Sequence, residues 1–399
     1  MTQSKLKVGI IGPCPPPHGG VTRVIENHLK YWDRDDYEAV LMCPHVALNP
    51  EPYPQIKLAK ASDSIKFSEF LSGILRVGWR FGFSSWSAFK NNICFDIHVK
   101  KTIKKESFDV VYVHHAALTG LIGVTEAHAA GIPVVLASYG ETWLAEKSAL
   151  RWKRAINYAI KNADWLITTS EHCCNGVAHS GGNKSKATVI YAGVDLERYR
   201  PGLDGFIFRS KIGIPKSAIV VSILGLVLKR KLDTFLNALE LRLKENSNLY
   251  VLIGGSGQDE AYLSSRLLSL GNERIRALGF IPEQELPLFY AATDILVVAP
   301  KTIVECMGQS MKEAMSCGVP IVGARLGGVP EALEVGNCGV MFEPDNPQDL
   351  NRAINALIDD EVYRKHLGRS GRIEAEKRFD AKISAKKMFD VLIAIANKK

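Results

Sequence analysis

The chain has 399 residues and a formal net charge of +8, from 50 Lys+Arg against 42 Asp+Glu. Hydrophobic residues make up 46% and charged residues 23%, which excludes wholesale disorder, a collagen-like chain and a disulfide-stapled miniprotein. No apolar run approaches the ~20 residues that span a bilayer, and the length suggests two or three domains of ~100–200 residues.

The opening MTQSKLKVGIIG carries no secretory apolar core with a cleavage site behind it, so a cytoplasmic protein is expected. KVGIIG (7–12) is a short apolar run ending in Gly and reads as a buried parallel strand. The loop PCPPPHGG and an amphipathic helix from about Val21 follow. VVYVHH (110–115), PVVLAS (133–138) and WLITTS (165–170) are further strands, with a helix over 120–130. The pattern restarts after Pro201. IVVSILG, LYVLIGG, IRALGF, DILVVAP and PIVGA are strands, with helices over 233–243 and 259–270. Apolar strands alternating with periodic helices are the mark of α/β architecture with parallel sheets. Two such blocks predict two Rossmann-like, doubly wound domains, 1–200 and 201–379, facing across a cleft.

The eight cysteines form no CxxC pairs, so they are expected to be reduced thiols, with Cys173 and Cys174 beside His172 read as helix residues. The charge is uneven: residues 1–200 hold 24 Lys+Arg against 18 Asp+Glu, and residues 201–399 hold 26 against 24. Much of the excess lies in 57–106, where ten basic residues interleave with Phe67, Phe70, Trp79, Phe81, Phe83, Trp86, Phe89 and Phe95. Two readings carry equal weight: an interfacial segment on an anionic membrane, or a helix pair on the sheet with solvated lysines. Nucleic acid has only the charge in its favour, with no recognition motif.

The most informative run is PKTIVECMGQSMKEAMSCGVPIVGARLGGVPE, 300–331. A strand ends at Pro300, a loop carries Glu305, and Gly308 precedes a helix beginning near Gln309 and Ser310. Free amides and the positive dipole end of that helix suit a diphosphate. Glu313, about one turn inside, suits the vicinal hydroxyls of a ribose. Asp33-Arg34-Asp35 is the one tempting metal motif. It sits in a charged stretch away from any strand end and reads as surface, so no metal or cofactor is expected.

Joined in one run, E-x7-E, EAM-x-CG-x-P and GG-x-PE resemble the family 4 retaining glycosyltransferases, which have the two-domain GT-B fold. GGVTRVIENHL, VIYAGVDLERYRP, GGSGQDEAYL, LGFIPEQELPLFYAATD and GVMFEPDNPQDL resemble further landmarks of that family. The resemblance implies a nucleotide-sugar donor held by the C-terminal domain and a glycan or lipid-linked acceptor held by the N-terminal one. A C-terminal helix, 380–399, would cross back to the first domain. Glu305 would contact the donor sugar. Gly308, Gln309 and Ser310 would meet phosphate or sugar, and Glu313 the ribose. Lys231 fits the family lysine that neutralises the leaving diphosphate, while Leu226 stands where the family has Arg. Arg230 or Lys229 would supply the missing charge. Gly19 and Gly20 would let backbone approach the donor phosphate or the acceptor.

Two more positions depart from the family: Tyr139 stands at the place of a His, and Ala192 at that of an Asn. Glu141, His114, His115 and His18 are the substitutes for the His, with Glu141 preferred. The resemblance implies a metal-independent hexosyltransferase of surface polysaccharide or glycoconjugate synthesis, working at the cytoplasmic face of the membrane if the basic aromatic stretch docks there. The alternative is a non-catalytic GT-B subunit that binds a nucleotide sugar or supports a partner enzyme. A nucleotide-sugar epimerase matches the E-x7-E run less well. The loop GPCPPPHGG is not the G-x-G-x-x-G of a dinucleotide oxidoreductase.

Overall fold

The structure is a computed structural model and describes residues 5–13, 19–32, 36–44, 57–58, 65–76, 85–147, 150–225, 228–245, 247–300 and 302–398. His18, Asp33–Asp35, Trp79, Phe81, Phe83 and Leu226, singled out above, lie outside these residues. The chain divides into two compact units, Met1–Gly193 with Ala381–Lys399, and Val194–Asp380. The division falls seven residues before the predicted boundary at 200/201.

The first unit contains strands β1 (Leu6–Ile11), β2 (Tyr37–Met42), β3 (Lys57–Leu58), β4 (Val110–His114), β5 (Val134–Ser138), β6 (Trp165–Thr168) and β7 (Ala187–Val189). Its helices are α1 (Gly20–Lys30), α2 (Phe67–Arg76), α3 (Trp86–Glu106), α4 (Leu118–Ala129), α5 (Glu141–Lys147), α6 (Leu150–Asn162) and α7 (Glu171–Asn175). The sheet is parallel with order β3-β2-β1-β4-β5-β6-β7. Its central strands are apolar on both faces because helices cover both. Val8 and Ile10 face α1, where Ile25 and Leu29 pack. Ile11, Val111 and Val113 face the opposite layer, with Ile97 of α3, Ile122 of α4 and Ile156 of α6.

The second unit contains α8 (Phe206–Lys211), β8 (Ile219–Leu224), α9 (Lys229–Glu245), β9 (Leu249–Gly254), α10 (Glu260–Leu270), β10 (Ile275–Gly279), α11 (Leu286–Ala291) and β11 (Ile295–Val298). It continues with α12 (Gln309–Ser316), β12 (Ile321–Ala324), α13 (Val329–Glu334), β13 (Gly339–Phe342), α14 (Pro347–Asp359) and α15 (Glu361–Arg378). Its parallel sheet has the order β10-β9-β8-β11-β12-β13. One core joins β8, β9 and β11 to Phe235 and Leu239 of α9 and to Ile354 of α14. The last helix, α16 (Ala381–Ala396), belongs to the first unit, where Met388, Phe389 and Leu392 join the core of α1 and β1.

Both units are the predicted doubly wound α/β sheets. The strands that sequence reading passed over, β2, β3, β7 and β13, flank the central ones. The side chains of β7 and most of β13 are only half-buried, so their apolar signal is diluted. Helix α9 begins at Lys229, four residues before the predicted start, so the Lys-Arg-Lys cluster is its first turn. Cys94, Cys174, Cys317 and Cys338 are free thiols. Cys43, Cys173 and Cys306 are disulfide-bonded, which corrects the expectation of reduced thiols throughout. Among the described residues no helix is long and apolar enough to cross a membrane.

Candidate functional site

In the second sheet the strand order reverses between β8 and β11. Open α/β sheets bind ligands outside the carboxyl ends of the strands at such a switch point. Lys231 follows β8 and Glu305 follows β11, so the candidate residues come from both sides of the reversal.

Three cations in the first turn of α9 oppose the positive end of the helix dipole, and that turn contains no acid to offset them. Two of the three have partners. Arg230 forks onto Asp345, with Nε donating to Oδ1 at 2.8 Å and Nη2 to Oδ2. The Lys229 ammonium lies 4.7 Å from the ring centre of Tyr262. Lys231 is half-buried and, among the described residues, makes no ion pair. Its Nζ lies 3.4 Å from where a Cβ on Gly225 would stand. Burial pulls its pKa down, and the charge of Glu305 pushes partly back. A small pocket there, with room for about one water, is lined by Arg230, Lys231, Thr234, Pro300 and Asp345. The two candidate cations thus differ: Lys231 makes no ion pair among the described residues, and Arg230 pairs with Asp345 at the surface.

The loop before α12 is held from outside. Gly328 N–H donates to the Glu305 carbonyl at 3.2 Å. A Cβ on Gly327 would stand 2.2 Å from the Glu305 oxygen, and one on Gly328 1.8 Å from the Cys306 oxygen. No real Cβ fits at such distances, which accounts for the Gly-Gly of GG-x-PE: it lets one loop lie flat on the other. Gly308, at φ +51°, is the N-cap of α12, with no side-chain cap and nothing within 4 Å of its Cβ position. The first amides of α12, at Gln309 and Ser310, thus begin the helix behind a residue with open space around it. Glu313 is 2% exposed and accepts a hydrogen bond from Tyr290 Oη at 2.8 Å. Sequence reading missed Tyr290, which lies in α11, although its motif LPLFYAATD was on view. It also missed Lys312, whose buried ammonium is pushed down to about 7 by desolvation, with Glu313 acting in the opposite sense.

In the first unit, Gly19 is the N-cap of α1 and has no side-chain cap. Among the described residues nothing lies within 4 Å of the Cβ positions of Gly19 or Gly20. Packing among the described residues therefore does not require glycine at either place, and the first turn of α1 carries no acid.

Glu141 differs from its expected role. Its carboxylate is 2% exposed and accepts from the Ala116 amide at 2.7 Å, the Tyr139 amide and Ser138 Oγ at 3.3 Å. It ties the turn after β4 to the turn after β5, so most of its acceptor sites are already occupied within the unit. Tyr139, at the place of the family His, instead has its hydroxyl 2.5 Å from His114 Nδ1. His115 takes a φ of +76°, and its ring nitrogen lies 3.8 Å from Glu141. Among the described residues no group of three or more His, Cys, Asp or Glu converges as a metal site would require.

Comparison with known proteins adds the following. The family described as Glycosyl transferases group 1 matches residues 206–374, and Glycosyltransferase Family 4 matches residues 18–198. A D-inositol 3-phosphate glycosyltransferase from Catenulispora acidiphila is 30% identical over 276 residues, 63% of this chain and 64% of that protein. Its counterpart from Thermobifida fusca is 28% identical over 312 residues, 71% of this chain and 70% of that protein. The matches thus span about two thirds of these curated relatives. Among solved structures, Anabaena HepE in complex with UDP-glucose is similar with a TM-score of 0.79 at 20% identity, covering 98% of this chain and 100% of that one.

Proposed function

The chain belongs to glycosyltransferase family 4, and from that premise we propose a retaining, metal-independent glycosyltransferase. It moves a sugar from a nucleotide-diphosphate donor to a glycan or lipid-linked acceptor, with peripheral contact at an anionic membrane. The observation that carries this reading is Lys231: a half-buried cation without an ion-pair partner among the described residues, at the switch point of the second sheet.

In the reaction, the bond from the sugar's anomeric carbon to the diphosphate oxygen breaks, and its electron pair stays on the phosphate. The acceptor oxygen bonds to the same face of that carbon. The acceptor's proton passes to the leaving phosphate, so no strong protein base is required. Lys231 and the amides of Gln309 and Ser310 meet the negative charge as it develops, where fixed positive groups in a water-poor site act most strongly. An arriving diphosphate also restores the Lys231 charge that burial disfavours. Glu305 holds sugar hydroxyls. Glu313, oriented by Tyr290, holds the ribose. The relatives' names support the reaction class, since both are called glycosyltransferases.

The test is donor turnover by the purified chain over a panel of nucleotide sugars. Lys231→Met keeps the length of the side chain and removes the charge. It is expected to lower kcat by ~10²–10³-fold, the usual cost of one transition-state donor. Near-wild-type turnover overturns the assignment of Lys231. Donor-induced thermal stabilisation without any turnover favours the non-catalytic alternative instead.

A further inference from the structure

Helix α2 is apolar on two faces. Phe70 and Ile74 pack on the core of the first unit. Gly73 lies against α3, where a Cβ would meet Ile93 Cγ2 at 2.8 Å. The other face carries Phe67, Leu71 and Leu75, spaced i, i+4, i+8 and exposed by 81%, 47% and 74%. A surface helix normally shows polar residues to water, and a contiguous apolar stripe marks an interaction site. Trp86, 60% exposed, opens α3 and stacks on Phe89 with ring centres 5.9 Å apart.

The charges around this stripe are sorted by sign. Lys66, Lys90, Lys104 and Lys105 are exposed. The acids of the same helices are withdrawn. Glu69 accepts from Lys101 Nζ at 2.9 Å and from the Lys66 amide at 3.0 Å. Asp96 and Glu106 are buried, and Glu106 takes Lys7 Nζ at 3.0 Å. The described part of the hairpin therefore presents apolar side chains among free ammonium groups.

We propose that α2 and the start of α3 are the docking surface for an anionic lipid bilayer. Phe67, Leu71, Leu75 and Trp86 enter the boundary between headgroups and acyl chains, and the lysines meet headgroup phosphates. An apolar stripe alone would fit a protein partner equally well. The one-signed lysine surround is what favours a lipid surface of opposite sign. The inference gives residues to the membrane contact in the reading above and rests on that contact, not on the transfer chemistry.

The experiment is co-sedimentation of the full chain with phosphatidylcholine vesicles and with vesicles that also contain phosphatidylglycerol, at low and high salt. Wild type is expected to sediment with the anionic vesicles at low salt and to be released by salt. Leu71→Ser with Leu75→Ser is expected to weaken binding at least about tenfold. Each of Lys90→Gln and Lys104→Gln is expected to weaken it about fivefold. Unchanged melting midpoints show that these variants are folded, and their donor turnover reports separately on the transfer reading. Absence of wild-type binding to anionic vesicles at low salt overturns the proposal and leaves an acidic protein surface as the occupant. Equal binding by wild type and the serine variant also overturns it.

Discussion

Lowering the pH from 7 to 5 should loosen the first unit through one buried imidazole. His28 lies on the inner face of α1, with Nε2 3.4 Å from Ser384 Oγ of α16. Its Nδ1 is buried and, among the described residues, has no hydrogen-bond partner. The rings of Tyr112 and His114 stand 6.1 and 6.2 Å away. Burial pushes its pKa down to about 4, against ~6.5 in an unfolded chain. The neutral ring is thus the folded form. Its contribution is fully present above pH ~6.5 and is lost as the pH falls towards 4. The whole interval is worth about 3 kcal/mol, and about 2 kcal/mol of it falls between pH 7 and 5. For a unit of this size that lowers a melting midpoint by roughly 4–8 °C. His114 shifts in the same direction for the same reason, with His28 contributing, and it stays in place as a background. The assay is thermal melting of wild type and His28→Gln across pH 5–8. The difference between the two curves should change by several degrees over that range. Parallel curves would refute the reasoning, because the buried ring would then not be taking up protons on unfolding.

Two further changes probe the second unit. Gly328→Ala puts a Cβ against a backbone oxygen that cannot swing aside. The Glu305 loop should shift, and donor-induced thermal stabilisation should fall or vanish; an unchanged ligand shift counts against the loop's role. Tyr290→Phe leaves the buried Glu313 carboxylate one donor short. The expected cost is about 1–3 kcal/mol in denaturant melts, with a higher KM for donor; wild-type values in both would remove Tyr290 from the site.

The restart of strand and helix after Pro201 was legible because parallel strands buried on both faces are written as unbroken apolar runs. The placement of Glu305, Gly308 and Glu313 in one loop and one helix was legible because their spacing is local. The partner of Arg230 was not, since Asp345 lies 115 residues away and no periodicity links them. The hydrogen bonds of Glu141 were hidden for a related reason. The end of a strand shows which turn a residue occupies, but not whether two backbone amides have already claimed its carboxylate. Glycines 327 and 328 were recognised as part of a motif. Their physical reason, a loop lying within touching distance of carbonyl oxygens, exists only in three dimensions.

The return of α16 to the first unit also orders events at the ribosome. Val194–Asp380 is one continuous stretch, whereas Met1–Gly193 waits for Ala381–Lys399, which is made after all of it. At ~5–20 residues per second that wait lasts on the order of ten seconds or more. Meanwhile Trp32 and Tyr37 lack the ring of Phe389, and the sheet lacks Met388 and Leu392. The core of the first unit is therefore closed by a segment that is made after the whole of the second unit. The last helix works as a seal: a chain that stops before Ala381 keeps an apolar face of the first unit open, and α16 closes it.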